Sequence, residues 1–263
     1  MQVSAIHVYP IKSLAGLSLS SSQVEITGFQ YDRQWMLVDK QGKFLSQRTH
    51  PEMALIQVNL EKDQLLLSHK YHTNAFFRLP FIMDSGKKKQ VSIWEDQLEA
   101  SLPGPEVDEW FSDLLHMDCQ LVKMGNSEKR WIKEKYQVNR EHVSFADSMP
   151  YLIIGQSSLD DLNSRLDTPV PMERFRPNIV FSGGPAFAED AWNRFTIGQV
   201  KFKSTKPCAR CVLTTIDQNS GKKGKEPLYT LSQYRKSGGK IFFGQNLIAL
   251  NRGTLAVGDN ILL

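Results

Sequence analysis

The chain has 263 residues, with 41% apolar and 23% charged residues, which describe a globular protein and exclude a disordered one. A formal net charge of +4 suits an anionic ligand but is too weak to argue for a nucleic-acid polymer as partner. Three cysteines, an odd count, imply no disulfide framework and point to a reducing, cytoplasmic setting.

The length favours two domains over one core. Residues 3–9 read as a strand, with Val3, Ala5, His7 and Tyr9 on one side and Ile6 and Val8 on the other. This start lacks the cationic lead and long apolar core of a signal peptide, and no apolar run approaches the ~20 residues of a membrane span. Pro10 ends the strand, and Lys12-Ser13 follow in a loop. Residues 17–19 and 24–26 are short strands. Gly28 turns the chain, and Asp32-Arg33 lead into 35–39, which meets 43–45 as a hairpin across Lys40-Gln41-Gly42. Residues 55–60, 65–68 and 91–94 repeat the pattern. The region 1–100 is therefore a sheet-rich or barrel-like unit, its boundary falling within 95–120.

Pro103-Gly104-Pro105 breaks the chain. Val107, Trp110, Phe111, Leu114 and Leu115 then recur at helical spacing, which predicts a linking helix over 103–117. The basic run 129–135 reads as a solvated loop, with partner docking as the alternative. In the second unit, 120–263, residues 144–148 lead to a buried strand at 151–154. Ser157 is placed as the cap of a helix carrying Leu159, Leu162 and Leu166, with Asp160 and Asp161 in its first turn. In 174–181, Pro177 predicts an extended Arg176 and Ile179 starts a strand. Residues 195–197 and 200–202 form a hairpin at Gly198. After a polar loop, 217–224, Pro227 opens a helix that Gly238-Gly239 ends, and strands at 243–248, 254–257 and 261–263 close the chain. The whole reads as mainly β with a few helices, an α+β fold.

The chemistry concentrates at Lys206-Pro207-Cys208-Ala209-Arg210-Cys211, read as a loop, followed by 212–216, whose composition is that of a strand. Thiolate is the form that binds metals, and neighbouring cations favour it. A zinc site needs four ligands, and only Cys119 and six unpaired histidines remain to supply them. A thioredoxin-like motif should open a helix rather than a strand. An inert pair sits uneasily beside Arg210. The remaining reading is a single thiolate on a cofactor metal, with cations around an anionic cofactor. Lys12, Arg33, Arg176 and Arg210 all lie beside turns or strand ends where they can converge, although on composition alone each reads as a surface charge.

The runs at 174–183, 206–217 and 243–246 resemble the MOSC domain, and Val8-Tyr9-Pro10-Ile11-Lys12-Ser13 with Asp32-Arg33 resembles the β-barrel domain that precedes it. The match is similar in order and extent to the amidoxime-reducing components and to bacterial reductases of N-hydroxylated bases. The resemblance implies a MOSC β-barrel with a molybdenum–molybdopterin cofactor held through Cys211, with Cys208 secondary. It places cofactor contacts at Lys12, Ser13, Arg33, Ser148, Met149, Arg176, Ala209, Arg210 and Asn246. Ala209 and Met149 can serve there only through backbone or packing, and Asn246 replaces a tyrosine of some animal relatives. Asp147 stands beside this segment as the candidate for proton handling, or else as a strand-end cap. The implied activity is reduction of small N-hydroxylated substrates, in the sense of detoxification. Electrons would come from a separate flavin or iron–sulfur protein, because no iron–sulfur cysteine spacing is present. The alternative is a persulfide carrier or a cofactor-delivery protein. Family vocabulary also attaches pyridoxal phosphate binding to such chains.

Overall fold

The computed structural model describes residues 1–125 and 127–263. The fold is mainly β with a few helices, as the density of short strands and turns predicts. The largest sheet runs, in spatial order, Leu17–Leu19, Gln2–Val8, Ile179–Ser182, Tyr151–Gly155, Lys240–Ala249, Val200–Arg210, Arg194–Ile197 and Ile261–Leu262. Tyr151–Gly155 and Ile179–Ser182 pair parallel, joined by a crossover that contains the helix Gln156–Asn163.

Tyr151–Gly155 is buried along its whole length. Tyr151 and Ile153 pack with Ile6, Phe181, Phe202 and Leu247, while Leu152 and Ile154 pack with Leu159, Leu162, Phe175 and Phe243. This two-residue alternation sends successive side chains into two cores, so the strand reads as one apolar run. Each such aliphatic side chain contributes about 1.5–3 kcal/mol on full burial.

Segments from the start of the chain are hydrogen-bonded into the later half. Gln2–Val8 pairs with Ile179–Ser182, and Ser21–Glu25 pairs with Gly253–Ala256. The helix Pro105–Leu115 buries Val107, Phe111 and Leu115 against Trp35, Leu37 and Leu67. Pro105 at its first position supplies a preset φ, and a left-handed His116 ends it.

Several local expectations are corrected. Helix Gln156–Asn163 is preceded by Gly155 rather than capped by Ser157, whose hydroxyl donates instead to the Gly184 carbonyl, and its first turn holds no acid. The hairpin across Lys40-Gln41-Gly42 is present, with Phe44 bridging Val38 antiparallel and the Leu45 N–H donating to the Leu37 carbonyl at 2.8 Å, although its second arm is an isolated bridge rather than a strand. The helix Leu228–Tyr234 ends before Gly238-Gly239, which turn the chain between Lys236–Ser237 and Lys240–Ala249. Strands Phe76–Pro80, Asp96–Leu102 and Gln120–Met124 were not foreseen. They are short or carry charges on an exposed face, which weakens their alternation.

Candidate functional site

The segment 206–211 is not a loop. Val200–Arg210 is a continuous strand against Lys240–Ala249, with register shifts between Ser204 and Lys206 and between Pro207 and Ala209. Pro207 offers no N–H to the ladder, and the extra residues bend the strand where the thiols sit. The residues after Cys211 do not form a strand either; Val212–Thr215 is a 3-10 turn. Threonine hydroxyls close it, Thr214 Oγ1 donating to the Cys211 carbonyl at 3.0 Å and Thr215 Oγ1 to the Val212 carbonyl at 2.8 Å. Such local hydroxyl bonds compete with extended pairing despite the β-branched composition. Strand composition after Cys211 therefore does not exclude a thioredoxin-like motif, but a 3-10 turn of four residues is still not the long helix such motifs open.

Cys208 and Cys211 meet different cations. Arg210 Nη1 lies 2.9 Å from Cys208 Sγ, whereas Arg48 Nη1 lies 3.9 Å from Cys211 Sγ. Cys211 is exposed and Cys208 only half-buried. Cys119 lies elsewhere, where burial pushes its thiol up to about 11.

Both thiols open on a cavity of about 540 Å³. All eleven side chains singled out from the sequence line it: Lys12, Ser13, Arg33, Asp147, Ser148, Met149, Arg176, Ala209, Arg210, Cys211 and Asn246. Sequence reasoning missed Arg48, Lys133, Lys135 and Lys240, and did not assign a role to Lys206, although it opens the two-thiol motif. Among the described residues the lining thus holds nine Lys or Arg side chains and one carboxylate, Asp147. Mutual repulsion among so many cations is relieved when a multiply charged anion enters.

Two of the cations share a platform. The Arg33 and Arg176 guanidinium carbons lie 4.4 and 4.1 Å from the centroid of the Tyr9 ring. Arg33 also bonds the fully buried Asp32 and reaches Asn178 Oδ1 at 3.2 Å, while Arg176 Nη1 donates to the Leu14 carbonyl at 2.7 Å. Burial pulls Arg176 down to about 10, against the attraction of Tyr9. Arg176 is left-handed, φ 53°, and not extended as Pro177 predicts. It terminates the 3-10 turn Met172–Phe175, its N–H bonded to the Glu173 carbonyl, and stacking on Tyr9 holds it there. Ser13 and Arg33 are also left-handed, at φ 67° and 50°. Strain of this kind persists where surrounding contacts over-determine a site.

Lys12 is a buried member of the cavity lining, donating to the Phe145 carbonyl at 2.9 Å and to Asp147 Oδ1. Desolvation pulls its ammonium down to about 8, only partly offset by Asp147. Asp147 lies in a bend with its side chain 57% exposed to the cavity mouth, so it caps no strand. Burial of its surroundings opposes its charge, but Lys12, Arg48 and Arg33 hold the carboxyl well below the usual range. Arg130, expected in a solvated run, is buried: it donates to the Ser144 and Ala146 carbonyls at 2.6 and 2.8 Å and pairs with Asp96. It fixes the loop that presents Asp147 and Ser148.

On the strand Lys240–Ala249, Asn246 Nδ2 donates to the Lys206 carbonyl at 3.3 Å. The preceding Gly244 has φ +80°, and a Cβ there would meet Ile154 Cγ1 at 2.6 Å and the Ile153 carbonyl at 2.9 Å. Only glycine lets the two central strands approach at that point.

Residues 1–118 match the MOSC N-terminal beta barrel domain and residues 140–262 match the MOSC domain. The chain is thus a two-part MOSC protein. The chain belongs to the MOSC family that contains the mitochondrial amidoxime-reducing components. It is 35% identical to mitochondrial amidoxime-reducing component 1 of Mus musculus, over 99% of this chain and 82% of that protein. The Homo sapiens counterpart is 31% identical over the same shares. Molybdenum cofactor sulfurase of Oryza sativa subsp. japonica is also 31% identical over 99% of this chain, which spans 34% of that longer protein.

Proposed function

We propose that this protein is a molybdenum-cofactor oxidoreductase that reduces N-hydroxylated substrates, N–OH to N–H, with electrons from a separate flavin or iron–sulfur protein. The supporting observation is the exposed Cys211 thiol at the mouth of a cavity with nine cationic side chains and one carboxylate. The relatives named for amidoxime reduction favour the same reading.

The residues fit a molybdopterin-type cofactor. Among the described residues no group of three His, Cys, Asp or Glu side chains could hold a bare metal ion. A metal on Cys211 must therefore bring most of its own ligands, as a dithiolene does. Its phosphate suits Lys12, Arg33, Arg176 and Arg210; the buried Nε of Arg210 has no partner among the described residues. Ser13, Ser148 and Asn246 would add polar contacts, and Met149 and Ala209 packing or backbone contacts. When bound, the cofactor supplies two-electron oxygen-atom chemistry.

The overall change adds two electrons and two protons to the N–OH group and releases the N–H product and water. Proton handling falls to Lys12 and Asp147 as a pair. Asp147 Oδ1 accepts and Lys12 Nζ donates, and Lys12 is the member brought close to neutrality. We also propose the two-domain organisation, 1–100 and 120–263 with 103–117 linking them, and a cytoplasmic setting. No helix among the described residues is long and apolar enough to cross a membrane.

A second reading is a persulfide carrier or cofactor-delivery protein. The exposure of Cys211 favours it, because a carried sulfur must be reachable, and so does the similarity to the rice sulfurase. Metal, pterin and sulfur analysis of protein from a cofactor-competent host separates the two. Near-stoichiometric molybdenum with turnover of a hydroxylamine or amidoxime supports the oxidoreductase; bound sulfur without molybdenum supports the carrier.

A further inference from the structure

Beside the cavity, Arg130–Trp131 and His142–Val143 form a two-stranded ribbon. Its two faces are chemically opposed. Arg130 and Val143 point inward, and Arg130 holds the loop of Asp147 and Ser148. Trp131 points outward, 45% exposed. Lys129 Nζ lies 5.5 Å and the Arg140 guanidinium carbon 5.1 Å from its ring centroid, and the His142 ring packs edge-on at 5.5 Å.

Among the described residues, neither Lys129 nor Arg140 has an acidic partner, and both are exposed. Lys133 and Lys135 continue the surface to the cavity rim, where Lys135 and Lys206 flank Tyr136 at 5.0 and 5.3 Å. Over 129–140 the only exposed acid is Glu134. A large aromatic ring bracketed by unpaired cations is the composition of an interface hot spot for an acidic partner. One ribbon residue away, Arg130 holds the cofactor loop, so a partner seated here lies beside the redox site.

We infer that the outer face of this ribbon, centred on Trp131 with Lys129 and Arg140, is the docking surface for the acidic face of the electron-donor protein. The inference rests on the oxidoreductase reading given above. It commits to a protein partner; an anionic lipid surface would use the cations but has no need of the ribbon's fixed geometry.

The test uses cofactor-loaded protein, an amidoxime substrate and two electron sources: an acidic plant-type ferredoxin with its reductase, and reduced methyl viologen, a small radical monocation that needs no docking surface. The variants are Trp131→Ala and the double variant Lys129→Glu/Arg140→Glu, none of which lines the cavity. Each variant should raise the KM for ferredoxin about tenfold and leave viologen-driven turnover unchanged. The parent's ferredoxin kcat/KM should fall as salt rises, and the charge-reversed variant should lose most of that slope.

Equal losses with both donors, or no change with either, would overturn the inference. If the parent shows no viologen-driven turnover, the oxidoreductase reading fails by itself. Docking is then read by titrating ferredoxin onto parent and variants, where unchanged binding overturns it. Adsorption of the parent to phosphatidylserine vesicles, lost in the variants, without ferredoxin binding, also overturns it in favour of a membrane surface.

Discussion

Arg176 stacks on Tyr9, with its guanidinium carbon 4.1 Å from the ring centroid, in a left-handed backbone conformation that its proline neighbour disfavours. Tyr9 in turn is held by its hydroxyl, which donates to the Pro177 carbonyl at 3.1 Å, and by its N–H, which donates to Asp32 Oδ1 at 2.9 Å. The aromatic ring is thus the shelf that holds the buried Arg176 and the partly buried Arg33 at the cavity. Tyr9→Phe keeps the ring and should cost about 1 kcal/mol of stability through the lost hydroxyl bond, with cofactor retention unchanged. Tyr9→Leu should lower retained pterin and molybdenum severalfold. Urea midpoints and cofactor content, measured on the same preparations, check both outcomes.

The pH dependence follows from Lys12. Its folded-state value, about 8, lies below the ordinary lysine value of roughly 10.4. Between those values the unfolded chain binds more protons than the fold, so the stability of the cofactor-free protein should rise with pH across that window. Anion binding runs the other way: affinity for inorganic phosphate should weaken as pH rises through about 8, when the ammonium is lost. Lys12→Arg should flatten the binding profile between pH 7 and 9. Calorimetric titration of phosphate at several pH values measures this.

Arg130 touches no cavity space, yet it bonds both carbonyls flanking Phe145, whose own carbonyl holds Lys12. Arg130→Met leaves those carbonyls and Asp96 without their shared donor. Each buried carbonyl left without a donor costs about 1–3 kcal/mol, while the half-exposed Asp96 is resolvated. Thermal midpoint and bound molybdenum should therefore fall together. A stability loss with full cofactor retention would show that the loop keeps its shape without the guanidinium.

The candidate site was legible partly from spacing and partly only through the resemblance to MOSC domains, which supplied Ser13, Ser148, Met149 and Asn246. Cys208, Arg210 and Cys211 announce themselves by spacing, and the Arg174-to-Asn178 run by its Pro. Arg48 gave no such signal. It reaches the thiol from the opposite half of the chain, and its guanidinium rests over Trp94 at 4.3 Å, a contact only the folded chain creates. Arg130 was misread because its neighbours are exposed lysines, so burial of one member of a basic run is invisible to composition. The left-handed Arg176 was lost for a related reason: the local rule for a pre-proline residue was correct on average, and tertiary stacking overrode it.

Gly244 tests how closely the central strands must meet. Gly244→Ala should destabilise the fold by about 2 kcal/mol or more, since the new methyl meets Ile154 and the Ile153 carbonyl at a positive φ. A thermal melt of the variant against the parent reads this directly. In a double-mutant cycle with Ile154→Ala, which removes Cγ1, a combined loss smaller than the sum of the two single losses would identify the side-chain clash as the cause.

The most direct measurement compares Cys211→Ser with Cys208→Ser, each isolated from a cofactor-competent host and assayed for amidoxime reduction with reduced methyl viologen. Turnover should be lost in Cys211→Ser, and Cys208→Ser should keep most of the parent's rate. Parent-like turnover in Cys211→Ser would contradict the role given to Cys211.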